Sequence, residues 1–366
     1  MKFFKNYSPE DYMLHHQNWC ITQDQRGIIY IGNHGNLMEY DSVSWRHISI
    51  PNESVRSLAV DRSGTIYVGG VNDFGFLAPG SYGQMKYISL LEYVDEKVRN
   101  FSHVWRAHVT GEGIFFRTSR YVFCWNPEKK QMVVELESGE GDEFRFNGSF
   151  DCMGKLFIKQ RKIGILQKKG NSYKLIPGSE IFAPIGVVFM IVPFDTSGEK
   201  LLIGTREMGF FIYDGKSLEQ FSTEVEHYLK EKKATHGIKL SQSPGHIAIA
   251  TLRGGVVVTD LQGRLKYLFT KETGLLDNNV KYVFEDAQGN LWAALNTGIA
   301  KIEYSSPLSV YNDEHSHLPG VVYSVTRQTG RLYSGTSEGL FYLVQNGKIF
   351  FCSLFTQHLF LCKIAP

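Results

Sequence analysis

The sequence predicts an all-β fold, a β-propeller of four-stranded blades, seven- or eight-bladed, and three observations carry that prediction. A unit made of a strand, an Asp-x-x-Gly turn, a second strand and a glycine recurs along the chain. Its copies lie about 43 residues apart, a period typical of propeller blades. Tyr (19), Phe (25) and Gly (36) are abundant together, the mixture expected of strands punctuated by tight turns.

The clearest copies run from Asp24 and Gly27 into Ile29-Tyr30-Ile31-Gly32, and from Asp61 and Gly64 into Ile66-Tyr67-Val68-Gly69. Further copies start at Asp195 and Gly198, at Asp286 and Gly289 before Leu291-Trp292, and at Gly330. Degenerate copies centre on Gly113, Gly154 and Gly245. The eight turn glycines are spaced by 37, 49, 41, 44, 47, 44 and 41 residues. Each repeated residue has a structural reason. The Asp bonds backbone amides in a hairpin turn and the Gly supplies a positive φ. Alternating strands such as Ile-Tyr-Ile present side chains to both neighbouring blades. The glycine after the second strand serves where blades crowd together. Asp24, Gly27, Asp61, Gly64, Asp195, Gly198, Asp286, Gly289, Trp292 and Gly330 are therefore assigned to the scaffold.

Eight repeats leave the closure open. Residues 1–320 are expected to form a propeller of repeats one to seven. Residues 321–366 then form an eighth repeat, either the closing blade or the first blade of a truncated second propeller. If eight close, residues near the N-terminus such as Phe3 to Tyr7 pair beside the last blade; if seven close, the eighth exposes an unpaired apolar face. Helical signal is confined to residues 224–233.

A formal net charge of +2, from 39 basic and 37 acidic residues in no long run, gives no nucleic-acid or membrane-surface footprint. Five scattered cysteines without Cys-x-x-Cys spacing argue against a disulfide framework and a structural zinc site. Cys20, Cys124 and Cys152 read as buried free thiols. The N-terminus has no apolar core of a signal peptide, and no stretch reaches the ~18 apolar residues of a membrane span, so a soluble chain is expected. Neither His15-His16 nor Glu314-His315-Ser316-His317 has the spacing of a metal-binding helix, and no cofactor motif is present.

The run Gly274-Leu275-Leu276-Asp277-Asn278-Asn279-Val280 through Asp286, Gly289 and Trp292 resembles the repeat of the two-component regulator propellers, the ligand-sensing ectodomains of bacterial histidine-kinase-type and hybrid regulators. Residues 17–33 and 55–79 are similar to it as well. Ala294 and Ser42 depart from it where glycine is usual. The resemblance implies a non-enzymatic sensor domain in the periplasm. It also implies that signalling output, dimer formation and membrane attachment belong to segments outside this chain, which would then be a fragment.

If the strand ending in Asp-x-x-Gly is innermost, the loops after the second strands gather on the opposite face, the default ligand surface. They contribute Asn33, His34, Asn72, Asp73, Phe74, Arg206, Glu207, Arg253, Asn296, Thr297, Ser337 and Glu338, with Trp105 nearby. Donors and acceptors of this kind, with Phe74 or Trp105 for stacking, suit a small-molecule or oligosaccharide ligand. Two alternatives stand beside this reading. One is a lyase or hydrolase related to streptogramin lyase, which would need His and Glu to converge around a divalent metal. The other is a protein-interaction scaffold, which would show an exposed apolar patch.

Overall fold

The computed structural model describes residues 2–184, 186–195, 197–311, 313, 318–346 and 348–353, with side chains through residue 343. The chain divides into two compact units, one of residues 4–271 and 275–305, the other of residues 1–3, 272–274 and 306–366. The metal candidate Glu314–His317 lies outside the described residues.

The larger unit contains seven antiparallel sheets of four strands. In the first six, the strands follow chain order from the inside outward. Their innermost strands are Asn18–Gln23, Ser57–Val60, Arg106–Thr110, Phe146–Cys152, Val188–Pro193 and Ala234–Lys239. The seventh sheet begins with Val280–Glu285, and this strand packs against both Ala234–Lys239 and Asn18–Gln23, so the cycle of inner strands closes at seven. Its outermost strand comes from the other end of the unit: Phe4–Tyr7 pairs antiparallel with Ile299–Ile302 of the seventh repeat. Tyr7 is buried there, packed on Trp45 and Trp292, and its hydroxyl donates to the Tyr40 hydroxyl at 3.0 Å.

The eighth repeat forms its own four-stranded sheet, starting with Val322–Gln328, in the smaller unit. Val321, Tyr323 and Val325 are 63%, 73% and 60% exposed, an apolar face that this unit leaves uncovered. The short helix spans Glu226–Lys232.

The repeated Asp acts as a latch. Asp286 Oδ1 accepts from the amides of Gln288 and Asn290, at 3.0 and 2.8 Å, while Oδ2 accepts from the Trp292 indole at 2.9 Å. Asp61 repeats the arrangement with the amides of Ser63 and Thr65 and the Tyr67 hydroxyl. Asp24 holds the amides of Arg26 and Ile28, and its Oδ2 faces the Tyr30 hydroxyl at 3.5 Å. One carboxylate therefore fixes the turn and also the aromatic six residues on. At Asp195 the corresponding residue is Leu201, and the carboxylate holds the amides of Gly198 and Lys200 with no aromatic six residues on.

The glycine of the second strand serves close approach and not a turn. A Cβ at Gly32 would lie 2.4 Å from Cys20 Sγ and 2.7 Å from Val55; one at Gly69 would lie 2.3 Å from Ser57 Oγ and 2.6 Å from Val104. In the third and fourth sheets Arg117 and Lys159 occupy this position, and the residue paired with Lys159 is Gly148. The small residue has moved to the inner strand to make room.

The latch predicts unequal costs. Asp286→Ala leaves a buried indole N–H and two turn amides without an acceptor and should destabilise by about 3 kcal/mol, whereas Asp195→Ala, at a more exposed turn, should cost clearly less. Urea denaturation of both variants checks the difference.

Candidate functional site

Most of the innermost strands share one irregularity. Five of the seven carry an extra residue where two residues oppose one on the second strand, a β-bulge, and the extra residues are Trp19, Asn147, Phe189, Thr235 and Lys281. Arg56 and Trp105 complete the set: their amides donate to Gly69 and Arg117, whose strand partners are the following residues, Ser57 and Arg106. Seven side chains therefore stand at one register level around the axis, at the loop end of the inner strands. Bulges re-aim side chains in this way, and they recur beside functional sites.

Four of the seven form a row of alternating cations and indoles across blades seven, one, two and three. Lys281 Nζ lies 5.6 Å from the Trp19 ring, the Arg56 guanidinium 3.9 Å from the same ring, and Trp105 5.8 Å from that guanidinium. His103 stacks on Trp105 at 4.8 Å and approaches Arg56 Nη2 at 3.5 Å. Arg56 is 8% exposed, and its Nε and Nη1 are buried without a hydrogen-bond partner among the described residues. Burial lowers its pKa.

Positive charge near the axis is unpaired more generally. The ion pairs of the described residues involve Arg26, Arg46, Arg99, Arg120, Arg145, Lys168, Lys230, Lys232, Arg264 and Lys266, on turns, outer strands and the helix. Arg56, Arg106, Arg117, Lys159, Arg206 and Lys281 form none among them. Glu207 and Asp277 act on some of these cations from beyond ion-pairing distance. Lys159 is fully buried with Nζ on the Gln160 carbonyl, and burial brings it down to about 8; Arg117 falls to about 9 for the same reason.

Along the axis runs a cavity of about 590 Å³. Its lining runs from Cys20, Ser57, Arg106, His236 and Tyr282, at the loop end of the inner strands, to Asp151, Met153, Lys239 and Pro244 by the Asp-x-x-Gly turns. Arg106 lies 5.5 Å from the Tyr282 ring, on which His236 stacks at 3.9 Å. His108 meets Ser149 Oγ at 2.8 Å, and Arg117 Nε donates to the same oxygen at 3.4 Å. Burial, then Arg106 and Arg117, hold His108 down to about 3; burial and Arg106 lower His236 as well.

The structure disperses the residues expected to bind. Phe74 is fully buried between Phe116 and Phe101, at 4.6 and 5.2 Å, so it belongs to the core and offers no ligand platform. Asn33 is also fully buried; its amide donates to Asn18 Oδ1 and the His15 carbonyl, and its Oδ1 accepts from Gly35. Asp73 is buried under Ser89, whose hydroxyl donates to it at 2.8 Å, and burial raises its pKa. Asn72 takes a φ of 51° and accepts from the Ser102 amide, as a loop former.

Arg206 Nε donates to the Ala234 carbonyl, and Gln17 donates to Asn296. His34, Glu207, Arg253 and Thr297 remain exposed. Ser337 and Glu338, also exposed, belong to the smaller unit. Trp105 stands in the axial row. His34 (blade one) and Glu207 (blade five) come from separate blades. The His15 ring lies 4.1 Å from that of His16 and 4.6 Å from that of His34. Among the described residues no group of three or more His, Cys, Asp or Glu could hold a metal ion. Cys20, Cys124 and Cys152 are buried and free, and burial pushes the Cys20 thiol up to about 12.

Sequence reasoning missed Trp19, Arg56, Arg106 and Lys281. The signal available was their position: each lies on or beside an inner strand, four residues before that strand ends.

The model of the two component regulator propeller family matches residues 274–297. The chain is similar to the extracellular domain of a hybrid two-component system from B. thetaiotaomicron, with a TM-score of 0.68 and 17% identity over 95% of this chain and 49% of that one. It is similar also to the extracellular domain of a one-component system from the same organism, with a TM-score of 0.60 and 15% identity over 95% of this chain and 47% of that one. Virginiamycin B lyase from Staphylococcus aureus matches with a TM-score of 0.59 and 11% identity, over 82% of this chain and 99% of that one. The chain spans about half the length of the two extracellular domains. No curated protein sequence matches it. These likenesses show the β-propeller fold, and over one repeat the chain resembles the regulator-propeller family in sequence. No helix among the described residues is long and apolar enough to cross a membrane.

The burial of His108 beside the axial arginines has a consequence in acid. Folded His108 takes up its proton at about 3 against 6.5 for the exposed group, so stability is lost as pH falls from 6.5. Between pH 6.5 and about 5 that loss should be about 2 kcal/mol larger in the wild type than in His108→Gln, measured by urea denaturation at each pH.

Proposed function

We propose that this chain is a ligand-sensing propeller of a two-component regulator, acting outside the cytoplasm, and that it recognises a carbohydrate-like solute at the loop end of its axis. One observation carries the reading: bulges in the inner strands bring Trp19, Arg56, Trp105 and Lys281 from four blades to one level. Indole faces suit the C–H faces of sugar rings, while guanidinium, ammonium and imidazole groups donate to hydroxyl oxygens. The exposed His34 and Thr297 stand on loops at the same end of their blades and would extend the contact surface. The family match and the likeness to extracellular sensor domains support the setting.

Binding without bond cleavage is the favoured reading over a lyase. His34 and Glu207, the pair a lyase would need, sit in blades one and five. In the sensor reading, the ligand acts by differential affinity for two arrangements of the receptor, with output through segments outside this chain.

A thermal-shift screen of the purified chain against neutral and acidic oligosaccharides tests this. A ligand at about 100 times its Kd should stabilise by about 2.7 kcal/mol and raise Tm by several degrees, and Trp19→Ala should abolish the shift. An unchanged Tm across the panel, or cleavage of a stabilising sugar, would contradict the proposal.

A further inference from the structure

We propose a second site, the axial cavity itself, which takes a small carboxylate with an apolar body, its charged end on Arg106. The inference does not depend on sugar recognition at the loop end, since its anchoring residue, Arg106, and its class of ligand are different.

Size and walls come first. A volume of about 590 Å³ lies within the range of pockets that enclose small organic molecules. Phe150, Phe189, Ile191, Ile238 and Leu240 line it, so much of the wall is apolar. A sugar would strand its hydroxyls against such walls; an aromatic or branched carbon skeleton would not.

Charge selects the other end. Arg106 Nη1 donates to the Trp105 carbonyl at 3.0 Å, and no other hydrogen bond engages its guanidinium among the described residues. Among the described residues no carboxylate stands within ion-pairing distance of it. Arg56, whose Nε and Nη1 are buried and unpartnered, comes from the strand connection just before Ser57, a lining residue, and both arginines act on the Cys20 thiol. Arg117 adds a third unpaired guanidinium, on Ser149. Several buried cations without an anion repel one another and forgo hydration, a costly arrangement that an anion would relieve.

The groups facing this end are Arg106, His108 and His236, the last two held neutral, with Tyr282, Ser57, Ser149 and Cys20. The cavity's acid, Asp151, and Lys239, which donates to the Pro193 carbonyl, lie at the far end, by the Asp-x-x-Gly turns. A carboxylate entering there would pass Asp151 and Lys239 and meet Arg106 over the Tyr282 ring, with its body against the apolar wall.

Isothermal titration at low salt with phenylacetate, isovalerate and indole-3-acetate tests the site, against phenylacetamide as the neutral isostere and inorganic phosphate as the bodiless anion. At least one acid should bind saturably, phenylacetamide and phosphate at least about tenfold more weakly. Arg106→Gln should weaken the acid at least about tenfold at a Tm no lower than that of the wild type. If that variant fails to fold, Ile238→Trp, which enlarges a half-buried residue of the apolar wall and leaves Arg106 in place, should exclude the same acid. The proposal is overturned if none of the three acids binds at about 10 mM, if the amide or phosphate binds as tightly as the acid, or if both variants bind as the wild type does. Tm shifts with oligosaccharides, lost in Trp19→Ala, report the loop-end site separately, so either site can fail alone.

Discussion

Crowding at the axis is the constraint on which the rest of this structure depends. Seven inner strands pack in a closed cycle, and in six of the seven blades, where the second strand meets its inner partner near the loop end, one of the two residues is small; in the third blade Arg106 faces Arg117 there. Gly32, Gly69, Gly204, Ala250 and Ala294 meet the requirement on the second strand; Gly148 meets it on the inner strand, opposite Lys159. Because the small residue can change strands, a long cation can be buried in this layer without breaking the blade. The bulge beside it then turns one more side chain per blade toward the axis.

The Asp latch works at the other end of the same strands. By tying the turn amides and the aromatic of the second strand to one carboxylate, it fixes the hairpin locally in the blades that carry it in full. Blades three, four and six lack it and still form complete sheets, the third and fourth held by aromatic and aliphatic packing around Phe74, Phe116 and Phe123, and around Phe146 and Ile158. Local latches and shared core are thus interchangeable supports. The unit's ends are joined by a third device, the pairing of Phe4–Tyr7 with the seventh repeat.

The fold was legible because its determinants are local and repeated: an Asp, a positive-φ glycine and a strand of fixed length recur in register. The site was legible only in part, because ligand-facing position depends on three-dimensional features that leave no short motif. Phe74 looked like an exposed loop aromatic, yet it is the first residue of a strand, and the stacking of Phe101 and Phe116 draws it inside. Asn33 looked like a polar loop tip, yet its amide bridges to Asn18 within its own blade. Arg56 and Arg106 passed unnoticed because a net charge of +2 averages over the chain. It conceals that acids are paired with cations on turns and outer strands and are scarce at the axis.

That segregation of charge joins the scaffold to the proposed recognition. A propeller whose axis keeps unpaired guanidinium groups near neutral imidazoles is prepared for an anion, at a cost in stability that the latches and cores offset. The most direct measurement is the protonation state of His108, followed by NMR of the imidazole nitrogens in the ligand-free chain. The account predicts that it remains neutral at pH 5; an imidazolium already formed at pH 6 would mean that the axis holds a compensating negative charge and would contradict it.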